Sequence, residues 1–209
     1  MRVFIASDHG GFALKEFLKE RLGREHEIAD LGCDSEQSCD YPDFAVLVAK
    51  AVAESNVNDP PLKRQALLNA KTTQGYAAAI CSHSSPVSKQ VHFGCSGVKQ
   101  AQGAALVAGG SGKALGILCC GTGIGMSLAA NKVKGIRAAV VYDEFTAKMA
   151  REHNNANIAC FGGRNIKPET AAQLAGIFLT AKFAGETKEG ERHLKRVQKI
   201  GEIEKRYFK

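Results

Sequence analysis

The run CCGTGIGMSLAANK (119–132) sets two thiols directly before alternating glycines. A cysteine thiol ionises near 8.5 when free, and nearby backbone N–H groups or a helix start bring that value down. A sulfur at the mouth of such a turn is therefore equipped to act as a base or a nucleophile. Gly121, Gly123 and Gly125 carry no Cβ, so a ligand can come close to the backbone N–H groups of the turn. Such a turn stabilises negative charge. Successive strand residues point to opposite faces, so only one of Cys119 and Cys120 can meet a ligand, and the other is expected to fill the core. The spacing GTGIG is not the dinucleotide pattern GxGxxG. Adjacent cysteines are also not the C-x-x-C pair of dithiol redox chemistry.

Other polar groups follow apolar runs. Asp8 and His9 come after RVFIAS (2–7), and Arg164 comes after NIACFG (157–162). His153 and Asn154 come after IRAAVVY (136–142) and the helix that succeeds it. An imidazole exchanges protons near neutral pH. A guanidinium presents a fork of donors that matches a phosphate. Arg192 and Arg196 are four residues apart, which on a helix places both on one face.

The elements that must position these groups can be read from hydrophobic spacing. Short apolar runs at 2–7, 26–32, 114–120, 136–142 and 157–162 read as strands. Leu14, Phe17, Leu18 and Leu22 mark a first helix that ends before Gly23, and further helical patterns fall at about 43–54, 124–132, 144–153, 168–181 and 189–207. Pro168 suits a first helical turn. Strands alternating with helices predict an α/β fold, a Rossmann-like three-layer sandwich around five parallel strands. Ligands of such sheets bind at the carboxyl ends of the strands, so all the polar groups above are expected at one rim. Residues 55–113 break the alternation. They contain Pro60-Pro61, many Ser, Gln and Gly, and no sustained period beyond a short helical stretch at 62–70. The chain thus reads as a single domain, 1–209, interrupted by an insertion of low regularity. Cys81, His83, His92 and Cys95 lie within that insertion, but their spacing matches no zinc-finger type, and incidental thiols are the expectation.

The net charge of +7 is unevenly spread. Residues 55–113 hold six Lys/Arg against one acid, and residues 182–209 hold nine against five, which leaves the rest slightly acidic. With aromatic content of only 7%, this is not a nucleic-acid-binding composition. No uninterrupted apolar stretch is long enough for a membrane span, and the first residues do not form a secretory leader. Seven cysteines then read as free thiols in a reducing, cytoplasmic compartment.

Taken together, SDHGG (7–11), DYPDFA (40–45), CGTGIGMSLAANK (120–132), GIRAAVVYD (135–143), REHNNAN (151–157), FGGR (161–164) and GERHLKRV (190–197) resemble the ribose-5-phosphate isomerase B family, which includes galactose- and allose-phosphate isomerases. The resemblance covers about 1–54 and 114–207, and the insertion is not part of it. It implies an aldose–ketose isomerase that moves a proton between adjacent carbons through an enediolate, with no cofactor and no metal. Cys120 then resembles the base, His153 the ring-opening acid and base, and Thr122 and Asp8 further catalytic contacts. Gly121, Gly123, Ile124 and Gly125 would offer N–H groups to the enediolate oxygens. Tyr41 and Asn154 would line the sugar, and His9, Arg164, Arg192, His193 and Arg196 the phosphate end. Some members carry a carboxylate base in the turn, where this chain has Met126, which implies the thiol-using type. The family shares each site between two subunits and reaches a partner with its last helix, so a homodimer or a dimer of dimers is expected. The leading expectation is interconversion of ribose 5-phosphate and ribulose 5-phosphate. A six-carbon sugar-phosphate isomerase and a non-catalytic sugar-phosphate binding module are the alternatives.

Overall fold

The computed structural model describes residues 1–56 and 114–208. The short helix expected at 62–70 and the residues Cys81, His83, His92 and Cys95 lie outside them. Five parallel strands form one sheet: β1 (Arg2–Ser7), β2 (Glu27–Asp30), β3 (Leu115–Cys120), β4 (Ala138–Val140) and β5 (Ile158–Gly162), in the order β2-β1-β3-β5-β4. The helices are α1 (Phe12–Leu22), α2 (Tyr41–Ser55), α3 (Ile124–Ala130), α4 (Glu144–Glu152), α5 (Pro168–Thr180) and α6 (Glu191–Tyr207).

The unbroken apolar runs of β1, β3 and β5 have a simple cause: both faces of these strands are covered. Val3, Ile5, Ile117, Ala159 and Phe161 pack under α1, α4 and α5. Phe4, Ala6, Leu118, Ile158 and Cys160 pack under α2 and α3. Alternate residues thus feed two separate cores, as the period of two along a strand demands. The sheet's strand order reverses between β1 and β3, which puts the carboxyl ends of these two strands at the crevice where open α/β sheets bind ligands.

Where the chain leaves for residues 57–113 and returns, its two ends are held together. Asn56 Nδ2 donates to the Ala114 carbonyl at 2.9 Å, and the Ala114 N–H donates to Asn56 Oδ1 at 3.0 Å. Asn56 and Ala114 thus bond each other directly across the α2–β3 connection. None of the described helices is long and apolar enough to cross a membrane.

Candidate active site

The Cys119–Cys120 pair divides between the two faces of the sheet. Cys119 belongs to the core under α1, α4 and α5, and Cys120 to the core under α2 and α3. Burial pushes the Cys119 thiol well above its ordinary range, and burial does the same to Cys160. Cys120 is 4% exposed, yet its sulfur is not without polar company: the Gly123 N–H donates to Cys120 Sγ at 3.1 Å. The turn thus sets a backbone N–H donor directly on the sulfur.

Gly123 aims its N–H this way because its backbone is left-handed, with φ of +78°. A side chain there is strained, and its Cβ would stand 3.1 Å from the Phe161 carbonyl carbon. Around this turn the first half of the site is assembled by strand ends. The Asp8 N–H donates to the Cys119 carbonyl at 3.3 Å, and the buried Asp8 carboxylate accepts from the Gly11 N–H at 3.0 Å. After β5, the Gly163 N–H reaches the Cys120 carbonyl at 2.7 Å and the Arg164 N–H reaches the Gly121 carbonyl at 3.1 Å. This stitching lays the Arg164 side chain across Gly121, whose missing Cβ would come within 3.3 Å of Arg164 Nη1. Tyr41 lies over Gly125 in the same way, with its ring carbon Cζ 2.8 Å from the absent Cβ. Thr122 and Ile124 are exposed on the rim, and Thr122 Oγ1 accepts from the Ile124 N–H at 3.3 Å. Met126 is fully buried core and takes no part.

His9 is held from a direction its sequence neighbours do not reveal. The Cys39 N–H donates to His9 Nδ1 at 3.3 Å. Burial pushes the Cys39 thiol itself up to about 11. The loop carrying Cys39 is tied down by Lys15, an almost fully buried lysine of α1. Its Nζ donates to Asp30 Oδ2 at 2.7 Å and to the Cys33 carbonyl at 2.9 Å, and it pairs with Glu16 at 2.7 Å.

The second set of polar residues lies elsewhere. The expectation of a single rim within one chain is corrected by the direction of α4. This helix starts at the carboxyl end of β4 and returns to the amino end of the sheet, so His153 and Asn154 sit beside the start of β5. Arg137, which precedes β4, donates from Nε to the Asn155 carbonyl at 2.9 Å. Arg151 is buried and braces the same turn, with Nη1 donating to Asn155 Oδ1 at 3.1 Å and to the Ala156 carbonyl at 2.6 Å. Asn155 closes the turn at φ of +47°. The first turns of α6 dock here: the His153 and His193 rings stack with centroids 4.0 Å apart and planes 10° from parallel. Arg192 and Arg196 flank this stack on the exposed side. β5 alone separates the two sets by about 16 Å, at roughly 3.3 Å per residue. Cys120, Asp8, His9, Tyr41, Thr122, the glycine turn and Arg164 are brought together. His153, Asn154, Arg192, His193 and Arg196 form a second cluster at the opposite end.

Sequence reasoning did not single out Cys39, Lys15, Arg137 or Arg151. Cys39 directly precedes the DYPDFA run and Arg151 opens REHNNAN, so proximity to those motifs was the available signal.

The sequence model of the ribose/galactose isomerase family matches residues 3–60 and 62–200. The chain is 35% identical over 208 residues to the putative sugar phosphate isomerase YwlF of Bacillus subtilis, with 99% of each chain covered. Among solved structures it is similar to ribose-5-phosphate isomerase B of Clostridium thermocellum, with a TM-score of 0.68, 34% identity and 99% of each chain covered. It is also similar to ribose-5-phosphate isomerase B of Mycoplasma genitalium with bound ribulose-5-phosphate, with a TM-score of 0.66 and 33% identity, covering 98% of this chain and 96% of that one.

Proposed function

The chain belongs to the ribose/galactose isomerase family, and on that premise we propose that it interconverts ribose 5-phosphate and ribulose 5-phosphate at a site built from two copies of itself. The observation that carries this reading is the Gly123 N–H on Cys120 Sγ, inside a turn whose rim also holds Asp8, His9 and Arg164.

In the open-chain aldose, the Cys120 thiolate takes the proton from C2. The electron pair moves toward the carbonyl and gives an enediolate, whose oxygens face the N–H groups of residues 121–125. The thiol then returns the proton to C1, while O1 gains a proton and O2 loses one, so the product is the ketose with no net loss of atoms. Oxyanion donors of this kind contribute roughly 3–4 kcal/mol each. Thr122 adds a hydroxyl at the exposed edge of the turn, Tyr41 and Asp8 border the sugar, and His9 and Arg164 take the phosphate.

Ring opening requires a further acid and base, because at this rim His9 is engaged with the phosphate and Asp8 borders the sugar. His153 of a second copy supplies it, together with Asn154 for the sugar hydroxyls and Arg192 and Arg196 for the phosphate. Two features support a second copy. The catalytic turn is surrounded by exposed apolar side chains, Tyr41, Leu47, Ile124 and Leu128, and the distal face of α6 leaves Ile200, Ile203 and Tyr207 uncovered. Residues 1–209 act as one isomerase domain, interrupted by the insertion at about 55–113.

A ribose 5-phosphate isomerisation assay tests this reading, run beside allose 6-phosphate and galactose 6-phosphate. Preference for the pentose by kcat/KM supports it. A preference for either hexose reassigns the substrate, and binding of sugar phosphate without turnover would leave a binding module.

A further inference from the structure

The stacked histidines carry a consequence beyond the roles assigned above. His193 is the only residue of α6 that is buried, at 6% exposure, and its ring face is occupied by His153. A ring so covered has little surface left for a ligand. Its edge is occupied too, because Arg192 Nε donates to His193 Nε2 at 3.3 Å. An arginine donates only to a lone pair, so His193 carries its proton on Nδ1 and is neutral. Burial, with the His153, Arg192 and Arg196 charges beside it, acts in the same direction and lowers its proton affinity. His153, by contrast, is half-buried, its backbone N–H donates to the Met149 carbonyl at 3.0 Å, and among the described residues no hydrogen bond holds its ring nitrogens.

We propose that His193 is a positioning residue for His153: a neutral aromatic plate that fixes the plane of the ring-opening imidazole and keeps its nitrogens at the exposed edge. Face-to-face contact leaves His153 rotation about its own axis restricted, while both ring nitrogens remain free to exchange a proton with a sugar ring oxygen. A charged partner in the same place would oppose protonation of His153, and the Arg192 contact prevents that. This role rests on the isomerase reading, and it replaces direct contact between His193 and the substrate.

The test compares wild type with His193→Ala and His193→Phe, and it uses two readouts. The first is kcat on ribose 5-phosphate, which is cyclic in solution. The second is the inhibition constant of an acyclic phosphorylated hydroxamate, whose planar unit copies the enediolate and needs no ring opening. Loss of the plate misplaces the acid, so His193→Ala is expected to lower kcat roughly ten- to a hundredfold with inhibitor affinity within about twofold of wild type. His193→Phe keeps a flat aromatic surface and is expected to stay within about threefold of wild type in kcat. The proposal is overturned if inhibitor affinity falls along with kcat in His193→Ala, which marks a direct ligand. It is also overturned if His193→Phe is as impaired as His193→Ala while its melting temperature is unchanged, or if neither variant alters kcat. Absence of wild-type turnover would sink the isomerase reading itself, a result distinct from any pattern among the variants.

Discussion

Cys120 and His153 stand at opposite ends of the sheet in one chain, so an isomerase built from them must borrow one of the two from a second copy. Mixing inactive chains tests this arithmetic. In a dimer of Cys120→Ala with His153→Ala, one site inherits both defects and is dead. The other combines the intact cysteine of one chain with the intact histidine of its partner. Random reassociation makes half of the dimers mixed, each with one working site of two, so activity should rise from near zero to about one quarter of wild type. The control is a one-to-one mixture of wild type with the double variant Cys120→Ala/His153→Ala. Every mixed dimer is then dead at both sites, and about one quarter of the activity of unmixed wild type remains instead of one half. The assay is initial-rate isomerisation after unfolding and refolding the mixed chains, with dimer formation followed by light scattering. Activity that stays at the parental level in the first mixture, or at one half in the second, would refute the shared site.

Three further outcomes follow from the geometry. Gly123→Ala places a side chain at φ of +78° and against the Phe161 carbonyl carbon, so about 1–2 kcal/mol of stability should be lost, read as a fall of a few degrees in melting temperature, with a larger proportional loss of kcat as the N–H leaves Cys120 Sγ. Burial raises the Asp30 carboxyl, but hydrogen bonds from Lys15, Lys19 and the Gly32 N–H outweigh it and hold the carboxyl below its ordinary value. Its contribution to stability is therefore present above the unfolded value of about 3.9 and is lost as pH falls through the lower folded value. Asp30→Asn should cost about 2–3 kcal/mol near neutral pH, because buried Lys15 loses the more buried of its two carboxylate partners, and calorimetry should show the gap between wild type and variant closing below about pH 4. Replacing residues 57–113 by a short Gly-Ser turn between Asn56 and Ala114 should leave circular dichroism and kcat near wild type, since those two residues already bond each other. A protein that fails to fold without the segment would contradict that expectation.

Much of the fold was readable from apolar spacing, and the reason is burial. Strands covered on both faces read as continuous apolar runs, so β1 was delimited to its last residue and β3 and β5 to within one. The edge strands are shorter than their runs: β4 has a single neighbour, and only Ala138–Val140 of the expected 136–142 is paired. Side-chain alternation also separated Cys119 from Cys120 correctly. What spacing hides is direction. A residue that closely follows a strand lies at the carboxyl rim, but one that follows the next helix has been carried back across the sheet, and this is why His153 and Asn154 were placed at the wrong end. The burial of Lys15 was equally hidden, because its partners Asp30 and the Cys33 carbonyl are distant in sequence. The stack of His193 on His153 joins two motifs that nothing along the chain connects.

The most direct test of the chemistry is hydrogen exchange at the reacting carbon. In deuterated water, wild-type protein incubated with ribulose 5-phosphate should wash deuterium into C1, seen by proton NMR as loss of the C1 signal. Cys120→Ala should slow that exchange by roughly two to four orders of magnitude while still binding the acyclic hydroxamate. Exchange by Cys120→Ala at the wild-type rate would show that another group moves the proton.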